Sequence, residues 1–348
     1  MQQASLPPQG LSRRRMVMAL PLLGGAVWGG GASAGARVVS ERSSRPLMGT
    51  QVDMAVEGVD GPQLRRAMDR AYAEMLRLEA LMSRYQPRSV VSRINLAAGV
   101  TPVMVPAEVM AVLQGAQRVS ATSRGAFDVT VGAFKSWNFG PGEKVVPGAS
   151  EIARQLPLVD ARGLVLDVAA GTAFLARQGM ALDLGGIAKL PILEAGMNML
   201  RSEGVENAMI NGGGDVLTHG LWQGRPWRVG LRDPRSPERL LGVVAVAGAG
   251  VVASSGDYER FFFHQGQRQH HVLNPRTGRP ASGVHGVSLV ARDVAAVNGL
   301  GAALMVQGPQ AGRALAQRMP GLAVLIAGQD GGVWQSTAMS ALLEPVPS

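Results

Sequence analysis

The 348-residue chain has no cysteine. That excludes disulfides, thiol nucleophiles and zinc–thiolate centres together. Stability must therefore come from ordinary burial, for which the length is ample. Aromatic residues make up only 4% of the chain, and Lys135, Lys144 and Lys189 are its only lysines. The net charge of +9 rests on arginines instead. These are scattered and rarely interleaved with aromatics, so no nucleic-acid surface is expected. An anionic cofactor or partner accounts for the positive balance equally well. No internal repeat breaks the chain into an array.

What is present begins with a charged and then apolar leader. Ser12-Arg13-Arg14-Arg15 precedes the apolar stretch Met16–Trp28 and a small-residue exit, Ala32-Ser33-Ala34. That stretch is broken by glycine and falls short of the ~20 residues a membrane span needs. The order is that of a secretory signal, and the twin arginines favour the bacterial route for folded proteins. We expect residues 1–34 to be a twin-arginine signal peptide, cut after Ala34 or alternatively Ala36, and the protein to be periplasmic. Cleavage removes three arginines and no acid, so the net charge falls by three, from +9 to +6.

The remaining chain reads as one α+β domain of two intimate lobes over 35–348. A strand is expected over Thr50–Val56. Leu64, Met68, Ala71, Met75, Leu78 and Met82 then recur at spacings of four and three, the buried face of a helix that ends before Pro87. Pro106–Ser123 reads as a second helix, and Gly140–Gly148 as a loop. From Leu164 on, short β-type runs dominate: 164–168, 180–184, 208–211, 227–231, 241–247, 251–254 and 260–263. Tight turns between them favour a mainly antiparallel sheet. Helices are expected over Ala188–Glu203, Val294–Val306 and Gln310–Met319, with a last strand over Leu322–Ile326.

Three stretches carry chemistry. Gly185-Gly186-Ile187-Ala188-Lys189 puts bare backbone and a lysine at a helix start, where an anion is favoured; an ordinary strand-to-helix turn is the alternative. Asn211-Gly212-Gly213-Gly214-Asp215 leaves backbone exposed for a flat ligand, or makes a hairpin turn. No helix follows it, so it is not a dinucleotide fingerprint. Ser255-Gly256-Asp257-Tyr258-Glu259-Arg260 leads to His270-His271 ahead of Asn274-Pro275-Arg276-Thr277-Gly278. An imidazole can transfer a proton near neutral pH, and a pair of them just before a rigid turn suits that; a strand–turn–strand with solvated histidines is the alternative, and as strand neighbours His270 and His271 face opposite sides. His219, His264 and His285 stand alone in the sequence and read as ordinary residues.

Together with Leu47-Met48-Gly49-Thr50 and Ser123-Arg124-Gly125-Ala126-Phe127-Asp128-Val129-Thr130, these blocks resemble the FAD:protein FMN transferases (the ApbE family) from about Pro46 to Val306. The resemblance implies an enzyme that transfers FMN from FAD, through a phosphoester bond, to a threonine of an acceptor flavoprotein and releases AMP. The acceptor it implies is a membrane-associated electron-transfer protein. It further implies that Met48, Gly125, Phe127, Asp128, Asp183, Gly185, Gly186, Lys189, Gly213, Gly214, Asp215, Ser255, Gly256 and Asp257 line the FAD site, with His271 catalytic.

Two departures stand out. The family's late-helix pattern Ala-Asp-Ala-Leu-Ala-Thr-Ala, whose Asp and Thr bind magnesium, is here Val297-Asn298-Gly299-Leu300-Gly301-Ala302-Ala303. Of the implied metal ligands, Asn298 offers a neutral oxygen, Ala302 offers no side-chain ligand, and Ala188 offers a backbone carbonyl. Leu190-Pro191 replaces the family's Gly-aromatic pair. Weak magnesium dependence is therefore expected. The alternative is an FAD-binding accessory protein of a periplasmic electron-transfer system with little transferase activity.

Overall fold

The computed structural model describes residues 38–140, 142–319 and 321–346. The expected signal peptide and its cleavage point lie outside the described residues. In chain order, the first lobe-forming elements are β1 (Val39–Leu47), β2 (Thr50–Gly58), α1 (Gly61–Met82), α2 (Val90–Leu96), β3 (Val103–Met104) and α3 (Ala107–Thr122). Then come α4 (Ala149–Gln155), β4 (Leu164–Asp167), β5 (Thr172–Leu175), α5 (Lys189–Ser202), β6 (Asn207–Gly212) and β7 (Asp215–His219). They are followed by β8 (Trp227–Asp233), β9 (Ser236–Val246), β10 (Gly250–Gly256), β11 (Phe261–His264), β12 (Gln267–His270) and β13 (Val284–Ala291). The chain closes with α6 (Leu300–Gln317), β14 (Ala323–Gly328), β15 (Val333–Gln335), α7 (Thr337–Leu342) and β16 (Leu343–Glu344).

Eight strands form one sheet in the order β1-β2-β6-β7-β10-β13-β14-β15, every neighbouring pair antiparallel. Strand side chains alternate between faces, and here each face has its own core. Val52, Met54 and Val56 of β2, Ile210 of β6, Val251 of β10 and Leu289 of β13 join the larger core, with α1, α5 and α6. Their neighbours Ala55, Met209, Val252 and Val290 point the other way, onto Trp222, Trp227, Val229 and Val244 of the β8–β9 layer. The methionine-rich stripe of α1 is buried as its spacing requires, and Asp60 caps the helix by accepting from the Gln63 amide. This is the α+β, mainly antiparallel architecture expected from the sequence.

Four expectations change. The run 180–184 is extended but is no strand: Asn95 accepts from the Leu182 amide and donates to its carbonyl, and Asp183 N–H is taken by Val129, leaving no ladder. β1, polar and largely exposed, and β13, interrupted by His285 and Gly286, were not anticipated. The late helix starts at Leu300 rather than Val294, because Gly299 takes a left-handed φ of 78°. Gly308-Pro309 then kinks it, near the break expected between two helices.

The sheet positions the site. The start of β2, the end of β6, the start of β7 and the end of β10 are neighbours at one end of the sheet. The first turn of α5 meets them there.

Candidate active site

Two tight turns form the floor. Met48-Gly49 joins β1 to β2 with φ of 53° and 68°, and the Met48 amide donates to Glu79 Oε1 at 3.0 Å. Gly213-Gly214 joins β6 to β7 with φ of 67° and 101°. Asn211 Oδ1 accepts from the Gly214 amide at 2.9 Å, closing that turn. A Cβ at Gly213 would lie 2.3 Å from Thr50 Oγ1, so the two turns touch. One residue on, Asp215 is buried: Oδ1 accepts from Ser254 N at 2.9 Å and Oδ2 pairs with Lys189 Nζ at 3.1 Å. The anionic neighbour demanded by a lysine at a helix start is thus supplied, in part, by the protein itself.

The second wall is the loop into α5. Asp183 Oδ1 accepts from Gly185 N at 2.8 Å, and its Oδ2 accepts from Arg84 Nη1 at 2.8 Å. Gly186 lies against the Phe127 ring, where a Cβ would come within 3.2 Å. Phe127 is buried and fixed by a bond from its amide to Ser123 Oγ at 3.1 Å. Both Asp128 oxygens are spent inside the fold, on Thr130 and on the Ala161 amide, and burial pushes its carboxyl up. Asp128 therefore shapes the loop that carries Phe127. Gly125, with φ of 78°, terminates α3 through a bond to Ser120 O and has open space where a Cβ would be.

The third wall carries the proton chemistry. His271 N donates to Arg260 O at 3.1 Å, which extends the β11–β12 pairing by one step and sets both side chains on the same face. His271 is exposed, although protein packs close around its ring. The surrounding protein, then the cations Arg260, His270 and Lys189, push its pKa below 6.5. Arg260 in turn approaches the Met48 carbonyl at 3.5 Å and so links this wall to the floor. His270 faces away, buried, bonded to Ala281 O at 2.8 Å.

At one end of the sheet, Arg260 links Met48 to His271 and Asp215 links Lys189 to the Gly213-Gly214 turn, while Gly186 touches Phe127. The structure places others in support. Asp257 has its side chain almost wholly inside, paired with Arg268 Nη1 and His285 Nδ1 at 2.7 Å each. His285 is consequently not an isolated residue, as its position in the sequence suggested. Ser255 lies against Gly301 of α6, where a Cβ would clash with its Oγ at 2.4 Å, and Gly256 gives room to the Tyr258 ring. Sequence reasoning missed Tyr85 and Arg260. Tyr85 is 75% exposed, with Arg84 over its ring at 5.5 Å, beside the Asp183 loop. The signal was a large aromatic just after an apolar helical stripe ends.

The metal ligands implied by the resemblance do not fit a magnesium site. Asn298 lies in the turn before α6, so it and Ala302 do not lie on one helical face. Ala302 has no side-chain ligand atom, the Ala188 carbonyl offers one lone pair beside its bond from Ile192 N at 3.1 Å, and Asn298 is a neutral ligand, so the set carries no charged oxygen. Magnesium prefers charged oxygen ligands. Among the described residues no cluster of three carboxylate or imidazole side chains could hold an ion.

Solved flavin transferases share this fold. The ApbE protein of Thermotoga maritima superposes with a TM-score of 0.81 at 30% identity, over 88% of this chain and all of that one. The flavin transferase ApbE of Vibrio cholerae gives 0.76 at 27% identity, over 88% and 100%. In sequence, a Vibrio cholerae FAD:protein FMN transferase is 31% identical over 283 residues, 79% of this chain and 83% of that protein. One from Klebsiella pneumoniae is 38% identical over 213 residues, 61% of this chain and 66% of its own length. The ApbE family profile matches residues 48–326. The chain belongs to the ApbE family.

Proposed function

We infer that this protein is an FAD:protein FMN transferase: it takes FAD as substrate, attaches the FMN half to an acceptor protein and releases AMP. The observation that carries this is that Lys189 after the bare Gly185-Gly186 backbone and His271 beside Arg260, which reaches the Met48 turn, stand at the same end of the sheet. The acceptor hydroxyl, which we take to be a threonine's, attacks the FMN phosphorus. A new P–O bond forms, the bond from that phosphorus to the bridging oxygen breaks, and the bridging oxygen leaves on AMP. A hydroxyl is a weak nucleophile until its proton is removed. His271 accepts that proton, and the crowding that keeps its ring neutral makes it available to do so. Lys189 and the amides of the Gly185-Gly186 loop face the charge that grows on the departing phosphate. Asp215 holds Lys189 in place. Tyr85 offers a flat ring to a flat ligand at the edge of the same loop.

The twin-arginine run supports action in the periplasm, with a membrane-associated electron-transfer flavoprotein as acceptor. The test is direct. Purified protein and FAD are added to extract from cells lacking this gene, and proteins that become covalently fluorescent are identified by mass spectrometry. The expected result is an FMN increment on one threonine with one AMP released per flavin attached. FAD binding with no covalent flavin would favour the accessory-protein reading, for which the altered Asn298 and Ala302 positions speak.

A further inference from the structure

We propose that the outer face of the β11–β12 hairpin, carrying Phe261 and Phe263, is the surface on which the acceptor protein docks; this rests on the transfer reading above. The hairpin stands apart from the main sheet, its two strands pairing with each other alone among the described residues. Its two faces do different things. Phe262 points inward, against Phe139 at 5.8 Å and Trp137 at 6.4 Å, on the side shared with Arg260 and His271. Phe261 and Phe263 point outward, 38% and 64% exposed, edge to face with centroids 5.6 Å apart.

These outward rings are held. Arg268, directly opposite Phe263, lays its guanidinium over Phe261 at 4.8 Å and Phe263 at 5.8 Å. The same guanidinium is anchored on buried Asp257, which is anchored on His285. A buried carboxylate thus fixes two exposed aromatics through one arginine. Ordered exposed aromatics lose little entropy when covered, which is the property of a binding hot spot. On this face His270 and Arg268 are committed to the fold, His270 to the Ala281 carbonyl and Arg268 to Asp257, and the two phenylalanine rings are the part left to solvent.

Position and charge say what covers it. Phe261 stands opposite His270 and Phe263 opposite Arg268, so along the strand the pair lies about 3–10 Å from His271, on the other face of the same hairpin. An acceptor must bring its hydroxyl to His271, and a protein reaching that point adjoins this face. Arg124, Arg276, Arg279 and Lys135 are exposed on the two loops beside the hairpin, with no carboxylate partner among the described residues. Arg276 donates instead to the Arg124 backbone carbonyl at 2.7 Å, which ties the two loops together. The surface fits a protein with an apolar side chain near the target residue and an acidic flank.

The probe is the apo form of the protein labelled in the extract experiment. Phe261→Ser with Phe263→Ser should raise its KM about tenfold or more, with kcat at saturating acceptor and FAD affinity, read by flavin fluorescence, held within about twofold. Added salt should raise KM in the unmodified enzyme. A photo-crosslinking residue at position 263 should capture the acceptor, and the same residue at exposed Val59 should not. Unchanged KM in the double variant, or equal capture at both positions, overturns the docking face while leaving transfer intact. If the unmodified enzyme labels no protein, the transfer reading falls and this one with it.

Discussion

At the scale of single residues, His271 is set by its surroundings: protein on most sides and the cations Arg260 and Lys189 nearby favour the neutral ring. In the free enzyme its pKa lies below 6.5, so the proton-accepting form persists as pH falls through 6.5. The acid limb of kcat/KM for transfer should therefore lie below pH 6.5. A limb above 6.5 would show that another group accepts the proton. His271→Ala should lower the transfer rate about 100-fold or more while FAD still binds. Gly213 makes a different point. Its bare backbone suggested room for a ligand, but a side chain there meets Thr50, and its φ of 67° is left-handed. Gly213→Val should cost about 1–3 kcal/mol in thermal or denaturant unfolding, besides weakening FAD binding. Unchanged stability would mean that the two turns yield easily.

At the scale of elements, legibility followed periodicity. The α1 stripe, the α5 start and most strands could be read because one face of each is buried and the alternation survives in the sequence. β1 could not, since an edge strand with polar residues on both faces carries no such signal. The helix start at Leu300 was misjudged because apolar Val294 and Val297 pack in a turn as readily as in a helix. Of the candidate site, the backbone-rich turns were legible, since glycine marks them, whereas the role of His271 came from the family resemblance. Asp257 and Asp128 were seen as site residues, but only the folded chain shows their oxygens committed to other groups. The same region yields the metal prediction. With Asn298 outside the helix and Ala302 without a donor, FAD binding should depend little on magnesium. Asn298→Asp with Ala302→Thr should introduce tight magnesium binding and raise transfer, both measured by titrating the ion against the two forms. Strong magnesium dependence of the unmodified protein would show that other oxygens supply the site.

At the scale of the molecule, two cores on the two faces of one sheet hold the site's loops rigid at the sheet's end. The chain reaches that state without a single cysteine, so folding does not wait for an oxidising compartment. A protein that can fold and load FAD before it crosses a membrane suits the route that exports folded proteins, which is the route the Arg13-Arg14 pair favours. Two expectations join here. The chain without residues 1–34 should fold in the cytoplasm and bind FAD, as thermal unfolding with and without FAD would show. Replacing Arg13 and Arg14 by lysine in the full chain should leave folded, FAD-binding protein in the cytoplasm and none in the periplasmic fraction. A processed periplasmic form of that double variant would mean the leader uses a route for unfolded chains, and that FAD is acquired after export.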